Sequence, residues 1–317
     1  MRALRISIGI VLILFLQFTP SEQALAQTAE KVIVAIPSIG LSQLPLFVAQ
    51  EKGFYKQEKL EALLVVMDGT IAARATIAGD IDFLLAFASG ISAIVNGAPL
   101  RGVMGLTTRG TQAFVSRPEI SSAADLKGKT IGVSGFGGST YHNALIAIQH
   151  LGLDPKRDVS ILNVGNSALR LTALRFNKID ATILDTAYVR KAEELGFKKL
   201  VSLADLGEIP STGFIVTTKK LKEKPDQIRR IIRATLRGVS YFKKNRSEMI
   251  AFISRKLAVD SKEAEELFDL GAKVFSSTGR VSDEGLNVLL RQRDSKGARI
   301  NRAEVVDWSF LPAEGEQ

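Results

Sequence analysis

The chain of 317 residues contains no cysteine. That absence excludes a disulfide scaffold, thiolate zinc sites, iron–sulfur clusters, cysteine nucleophiles and a lipid-modified N-terminal cysteine. Histidine is nearly as scarce: His142 and His150 are the only two, which argues against a histidine-rich metal centre. Neither a metal nor a cofactor is expected. One tryptophan and four tyrosines argue against an extended aromatic platform for sugars or bases. Gly135-Phe-Gly-Gly138 lacks the G-x-G-x-x-G spacing of a dinucleotide fingerprint, and no GxSxG-type elbow, HExxH or paired-carboxylate signature is evident. No catalytic residue is therefore assigned. His142 lies near a helix start, close in sequence to Ser139, and is read as a partly exposed helix residue rather than a base.

What remains is a folding composition, 46% hydrophobic and 24% charged. The length suits two domains or one large bilobed one. Residues 1–26 read as a secretory signal. Arg2 and Arg5 supply the positive start, Ile6 to Phe18 an apolar run, Pro20 a helix break, and Ala24-Leu25-Ala26 a small-x-small cleavage site before Gln27. The run is shorter than the ~18–20 residues that span hydrocarbon, and no later run is long enough. Export to a bacterial periplasm is the expected destination.

The formal net charge of +9 is concentrated. Between Lys219 and Lys256 there are thirteen Lys/Arg against three Asp/Glu, so the remaining chain is close to neutral. Ile228, Ile231, Ile232, Leu236, Val239 and Phe242 share one helical face there, and Arg229, Arg230, Arg233 and Arg237 populate the others. The plain reading is the solvated outer face of a docked helix. The alternative is a contact surface, 219–256, for anionic lipid headgroups or an acidic partner. Nucleic acid is not expected, because an exported protein meets little of it.

The strongest organisational signal is a repeat at an offset of 98. Lys31-Val-Ile-Val-Ala-Ile-Pro37 and Lys129-Thr-Ile-Gly-Val-Ser-Gly135 each read as a strand entering a glycine-bearing loop and then a helix. Arg74–Asp82 and Thr172–Asp180 each read as a helix end, a turn and a strand start. Gly79 pairs with Asn177 in this register, the two residue types that best tolerate the left-handed conformation closing a helix. Both halves thus alternate strand and helix, which favours parallel or mostly parallel sheets covered by helices, with a cleft between two similar lobes. Ligands in such sheets sit at the carboxyl ends of strands. The C-terminal part is expected to hold four helices, Asp226–Lys244, Ser247–Leu257, Asp260–Gly271 and Ser282–Arg293, covering a lobe already formed. Asp260 and Glu263 have capping-box spacing. Thr107–Gly110 and the strand Ser211–Thr218 are the outgoing and returning crossovers, with hinge-like composition. This places 27–108 and 213–317 in lobe 1 and 109–212 in lobe 2.

Four stretches in order carry a family resemblance. They are Pro45-Leu-Phe-Val-Ala-Gln-Glu-Lys-Gly-Phe-Tyr55, Ala78-Gly-Asp-Ile-Asp-Phe83, Ala124-Asp-Leu-Lys-Gly-Lys-Thr-Ile-Gly-Val133, and Ala181 to Thr186 after the second Ile-Asp. Together they resemble the solute-binding proteins of ABC importers, in the branch of nitrate, sulfonate, taurine and thiamine-pyrimidine-precursor binders. The resemblance spans about residues 31–220, and Val306–Phe310 also looks familial. It implies a bilobed α/β type II periplasmic-binding fold, two mixed sheets with a ligand cleft between the lobes. It also implies a hinge-closing trap delivering to a membrane permease. The pyrimidine-synthesising relatives use cysteine- and histidine-bearing sites, and this chain has no cysteine.

The cleft is expected to be lined by Ser38–Gln43, Asp68–Thr70, Phe87–Gly90, Ser134–Thr140, Asn163–Ser167 and Asp185-Thr186. Candidate ligand-binding residues are Ser38, Gln43, Thr70, Ser89, Gly138, Ser139, Thr140 and Asp185. Each has a plainer alternative as a turn or cap residue. The helix start after Gly138 offers backbone N–H groups and two hydroxyls to an anionic oxygen. Asp185 offers an acceptor for a ligand N–H or O–H. Few of these loops carry Lys or Arg, so a neutral, polar or singly anionic organic ligand is expected unless Arg109 or another cation reaches the cleft. The expected partners are that ligand and an importer permease, with the protein acting as a monomer. A sensory or scaffolding module, or an enzyme on the same fold, are the other readings.

Overall fold

The computed structural model describes residues 29–67, 69–136, 138–291 and 301–313. The expected signal segment, Asp68, Gly137 and the last two residues of the fourth C-terminal helix lie outside the described residues. Among the described residues no helix is long and apolar enough to cross a membrane.

Two five-stranded sheets repeat one plan. The first contains β1 (Glu30–Ile36), β2 (Leu60–Val66), β3 (Phe83–Leu85), β4 (Leu100–Gly105) and β10 (Gly213–Thr217), in the order β2-β1-β3-β10-β4. The second contains β5 (Ala113–Ser116), β6 (Lys129–Val133), β7 (Val159–Asn163), β8 (Ala181–Leu184) and β9 (Lys198–Ser202), in the order β7-β6-β8-β5-β9. In each, three parallel strands are followed by one antiparallel strand, β10 or β5, that arrived across the cleft. The sheets are mixed, as the resemblance implies.

The helices connecting these strands are α1 (Leu44–Glu51), α2 (Phe54–Gln57), α3 (Gly69–Ala78), α4 (Phe87–Val95), α5 (Ser139–His150), α6 (Ser167–Arg175) and α7 (Thr186–Glu194). The start of α3 and the start of α6 are 98 residues apart, as are the starts of β3 and β8. The inner strands β3, β5, β8 and β10 are mostly apolar on both faces because both faces are covered, whereas the edge strands β2, β7 and β9 expose residues. Val32, Val34 and Ile36 pack into one cluster with α1, while Ala35 belongs to the cluster on the opposite side with α3 and α4. Phe114 of β5 likewise faces away from Ala113 and Val115.

The repeated Ile-Asp turn has a physical reason. Gly79 and Asn177 both adopt left-handed backbone, with φ of 94° and 56°, and close the preceding helix. The aspartate after each turn then anchors its neighbouring strand. Asp82 Oδ2 accepts from the Ile33 N–H at 2.8 Å and Oδ1 pairs with Lys220 at 2.7 Å. Asp180 Oδ2 accepts from the Thr130 N–H at 2.9 Å and Oδ1 pairs with Arg117 at 3.3 Å. The shared motif is architectural.

The C-terminal helices are α8 (Thr218–Glu223), α9 (Pro225–Lys244), α10 (Arg246–Leu257), α11 (Ser261–Val274) and α12 (Asp283–Arg291). Helix α8 was not expected; the Thr217 hydroxyl caps it by accepting from the Lys220 N–H at 3.1 Å. Asp260 caps α11 through the Glu263 N–H at 2.8 Å, as its spacing foretells. The apolar face of α9 buries Ile228, Ile231, Ile232, Leu236, Val239 and Phe242, each contributing about 1.5–3 kcal/mol by leaving water. It lies close against α1: a Cβ on Gly238 would come within 2.2 Å of the Pro45 carbonyl oxygen. Its basic flank faces acids of the same lobe. Arg230 pairs with Glu30 and Asp226, both at 2.6 Å, Arg233 with Glu58 at 2.7 Å, and Arg255 of α10 with Glu51 at 3.0 Å. The intramolecular pairing supports the plain reading of this charge.

Replacing Asp82 with Ala removes a strand anchor and strands the largely covered Lys220. We expect a loss of about 1–3 kcal/mol in urea unfolding, with ligand affinity unchanged; an unaltered unfolding midpoint would contradict the anchoring role.

Candidate ligand-binding cleft

Strand-end loops from both sheets and the two crossovers line one cavity of about 990 Å³. The first lobe contributes Pro37–Gln43, Val66, Met67, Gly69, Leu85, Ala86 and Ser89, and the second contributes loops after β6, β7 and β8. Leu257 and Leu267 reach the same space from α10 and α11. Arg190 on α7 joins Asp260 at 2.9 Å and Glu263 at 3.6 Å, tying the second lobe to the start of α11.

At the crossovers, Thr107 and Thr212 hydroxyls meet at 2.8 Å, and the Leu106 N–H donates to the Thr212 carbonyl at 2.9 Å. Across the cleft floor, Ser42 and Thr111 hydroxyls meet at 2.7 Å, and the Thr186 hydroxyl donates to the Thr111 carbonyl at 2.9 Å. Arg109 does not line the cavity; its guanidinium donates to the Ala204 carbonyl at 3.2 Å.

Of the candidate residues, Ser38, Gln43, Ser89, Gly138, Ser139, Thr140 and Asp185 all line this one cavity. Thr70 lies in the first turn of α3, and its side chain is outside the described set. The lining residues divide by what their side chains already do. Thr140 is occupied: its Oγ1 accepts from the Ser134 N–H at 2.9 Å and meets the Ser134 hydroxyl at 2.7 Å, which closes the glycine loop. Gln43 is 3% exposed and Ser89 8%, yet no described residue hydrogen-bonds either side chain. Their amide and hydroxyl face the cavity with full capacity.

Asp185 occupies the N-cap position of α7 but does not cap it. Its carboxylate instead accepts from the Gln112 amide at 2.7 Å and the Ser167 hydroxyl at 2.6 Å. Both donors are themselves held. Asn143 donates to Gln112 Oε1 at 2.7 Å, and Arg170 donates to Ser167 Oγ at 2.9 Å. Arg170 also donates through Nε to the Ile183 carbonyl at 3.1 Å and through Nη1 to the Gly165 carbonyl. Burial pulls its guanidinium pKa down, and the Asp185 carboxylate opposes that shift. Arg170 and Asp185 are the charged side chains among the described lining residues, so the wall is neutral on balance.

Arg170, Gln112 and Thr111 were not anticipated, and Ser42, inside the expected Ser38–Gln43 loop, was not singled out. A signal for Arg170 is present: it falls with Ser167, Leu171 and Leu174 at i, i+3, i+4 and i+7, the buried stripe of α6. Gln112 sits just beyond a hinge-like run, with no local mark. His142 departs from its expected place. It is buried against Tyr141, with ring centroids 5.4 Å apart, because its face of α5 turns into the lobe, and it does not line the cavity.

Replacing Arg170 with Met leaves the carboxylate uncompensated. We expect a stability loss of about 3 kcal/mol or more in urea unfolding, whereas a neutral effect would show the network to be ornamental.

Comparison with known proteins agrees with this geometry. The riboflavin-binding protein RibY of Chloroflexus aurantiacus is 26% identical over 230 residues, covering 70% of this chain and 64% of that protein, less than two thirds of its length. A Candida albicans protein described as having the generic periplasmic binding protein fold superposes with a TM-score of 0.74 at 19% identity, over 91% of this chain and 99% of that one. The alkanesulfonate-binding protein SsuA of Xanthomonas axonopodis pv. citri, bound to MOPS, gives 0.70 at 18%, over 89% and 94%. The fold also carries an enzyme, the desulfurization enzyme DSZB, at 0.61 and 13%, over 89% and 97%. Residues 42–249 match the model of one family, and the chain belongs to it: it is a member of the NMT1/THI5-like family, with the bilobed periplasmic-binding-protein fold.

Proposed function

We propose that this protein is an exported solute-binding component of an ABC importer. It traps a small polar organic ligand between two hinged lobes and hands it to a permease. One observation carries the reading: one cavity is walled by strand-end loops of both sheets, and the side chains of Gln43 and Ser89, which bond no described residue, converge on it from the first lobe. Residues 27–108 with 213–317 form one moving body and 109–212 the other, the motion centred on Thr107 and Thr212. Closing the lobes around a ligand converts binding energy into a shape that a permease distinguishes from the open form. Residues 1–26 act as the export signal, and the mature chain begins at Gln27. The relatives support this reading, being named for binding riboflavin or alkanesulfonates.

Catalysis is not part of the proposal. Asp185 and Arg170 answer one another through Ser167, and no thiol exists anywhere in the chain.

Native mass spectrometry of the protein recovered from its host is expected to show a chain starting at Gln27 and one bound, chemically unchanged small molecule. Recovery of a converted or covalently attached species would overturn the transport reading in favour of an enzyme. Loss of uptake of the released compound on deleting the gene is expected; unimpaired uptake would remove the importer from the proposal. Gln43→Ala should weaken that compound's binding about tenfold while leaving the unfolding midpoint unchanged, since its amide bonds no described residue.

A further inference from the structure

The charge of the ligand follows from how Asp185 is held. This step rests on the ligand-trap reading above. Asp185 lies at the carboxyl end of β8 and borders the cavity. At this N-cap position a carboxylate usually turns back onto the helix N–H groups. Here it does not, and two side chains brace it from behind. Each brace is braced in turn, Gln112 by Asn143 and Ser167 by Arg170, and Asn143 and Arg170 are each only 1% exposed. Such a chain fixes the direction of the carboxylate as well as its position. Two incoming hydrogen bonds leave the carboxylate with further acceptor sites, which are available to a donor in the cleft.

The positive partner is not equally available. Arg170 directs Nε and Nη1 at the backbone carbonyls of Ile183 and Gly165, and Nη2 at Ser167. No lysine, histidine or other arginine is among the described lining residues. The opposite wall offers Gln43 and Ser89, neutral groups that both donate and accept, beside apolar Ile39 and Val66, which are 54% and 55% exposed. A ligand anion entering this space would set its charge beside a fixed carboxylate, with no free cation among the described lining residues to answer it.

We infer that the cleft takes an organic ligand that is uncharged or cationic, presenting an N–H or O–H donor to Asp185 and an apolar body to Ile39 and Val66, and that it rejects sulfonates and carboxylates of the same shape. The volume of about 990 Å³ fits an organic molecule and far exceeds the needs of a small inorganic anion.

A matched series tests this: benzamide, benzamidine, benzoate and benzenesulfonate, which share a ring and differ in the charge and donors of one group. Dissociation constants are measured by ligand-observed NMR on the mature protein, on Asp185→Asn and on Gln43→Ala. In the unsubstituted protein, benzamide and benzamidine should bind at least about tenfold more tightly than the two anions. Asp185→Asn should abolish the preference for benzamidine over the anions, and Gln43→Ala should weaken the series without reordering it. Benzoate or benzenesulfonate binding as tightly as benzamide in the unsubstituted protein would overturn the inference and leave the ligand trap standing. The same order persisting in Asp185→Asn would remove Asp185 from the selection and overturn it as well. Binding by none of the four would overturn the trap reading, and this inference with it. Should Asp185→Asn fail to fold, the ranking in the unsubstituted protein decides alone.

Discussion

The molecule depends on two lengths of chain passing each other at Thr107 and Thr212. Everything that joins the second sheet to the first by covalent bonds goes through these two passages. They are stitched by backbone and hydroxyl hydrogen bonds, and both threonines are buried. A buried polar pair in this position is costly to break and fixes which segments lie side by side. The consequence is geometric. With the passages fixed, the carboxyl ends of the parallel strands in both sheets turn toward the same space, and the cavity arises where they meet.

The charges obey a similar economy of position. The strongly basic stretch gives the chain its sign, and Arg230, Arg233, Arg246 and Arg255 are matched to acids on the same lobe, while Arg237 donates to Gln57 and Arg229 lies over the Phe310 ring. Exposed pairs of this kind stabilise little individually, about 0–1 kcal/mol. Their effect is to hold α9 and α10 in register on α1 and the start of β1, and to keep the net charge away from the cleft. Inside the cleft Arg170 commits its donors to two carbonyls and Ser167, while Asp185 keeps acceptor capacity, so selection rests on one fixed carboxylate rather than on a broad field.

Much of this was legible in the sequence wherever the signal is local. Gly79 and Asn177 mark a helix end by a backbone angle that few residues tolerate, and Asp82 and Asp180 recur because each strand needs the same anchor. The amphipathic face of α9 announced itself by period alone. Partners distant in sequence left no such mark. Arg230 meets Glu30 across 200 residues of chain, and Gln112 is placed beside Asp185 only after β5 to β8 and the helices α5 and α6 have been laid down. Arg170 was overlooked because arginine on a helix usually lies outward; its place on the buried stripe was visible, but the carboxylate that makes burial tolerable was not. His142 misled for the same reason, since a polar residue near a helix start carries no record of which way the helix will turn.

The two sheets, so alike in plan, differ in how they are strung. All five strands of the second come from one uninterrupted stretch, whereas the first needs β10, which arrives only after the whole second lobe. Joining β10 to β3 and β4 closes a long loop, a cost in chain entropy that shrinks once the intervening stretch is already compact. A chain delivered from its amino end thus presents an unfinished first sheet, with the edges of β3 and β4 unclaimed, until the second lobe has emerged and folded. The lobe that begins the protein is the last to be completed.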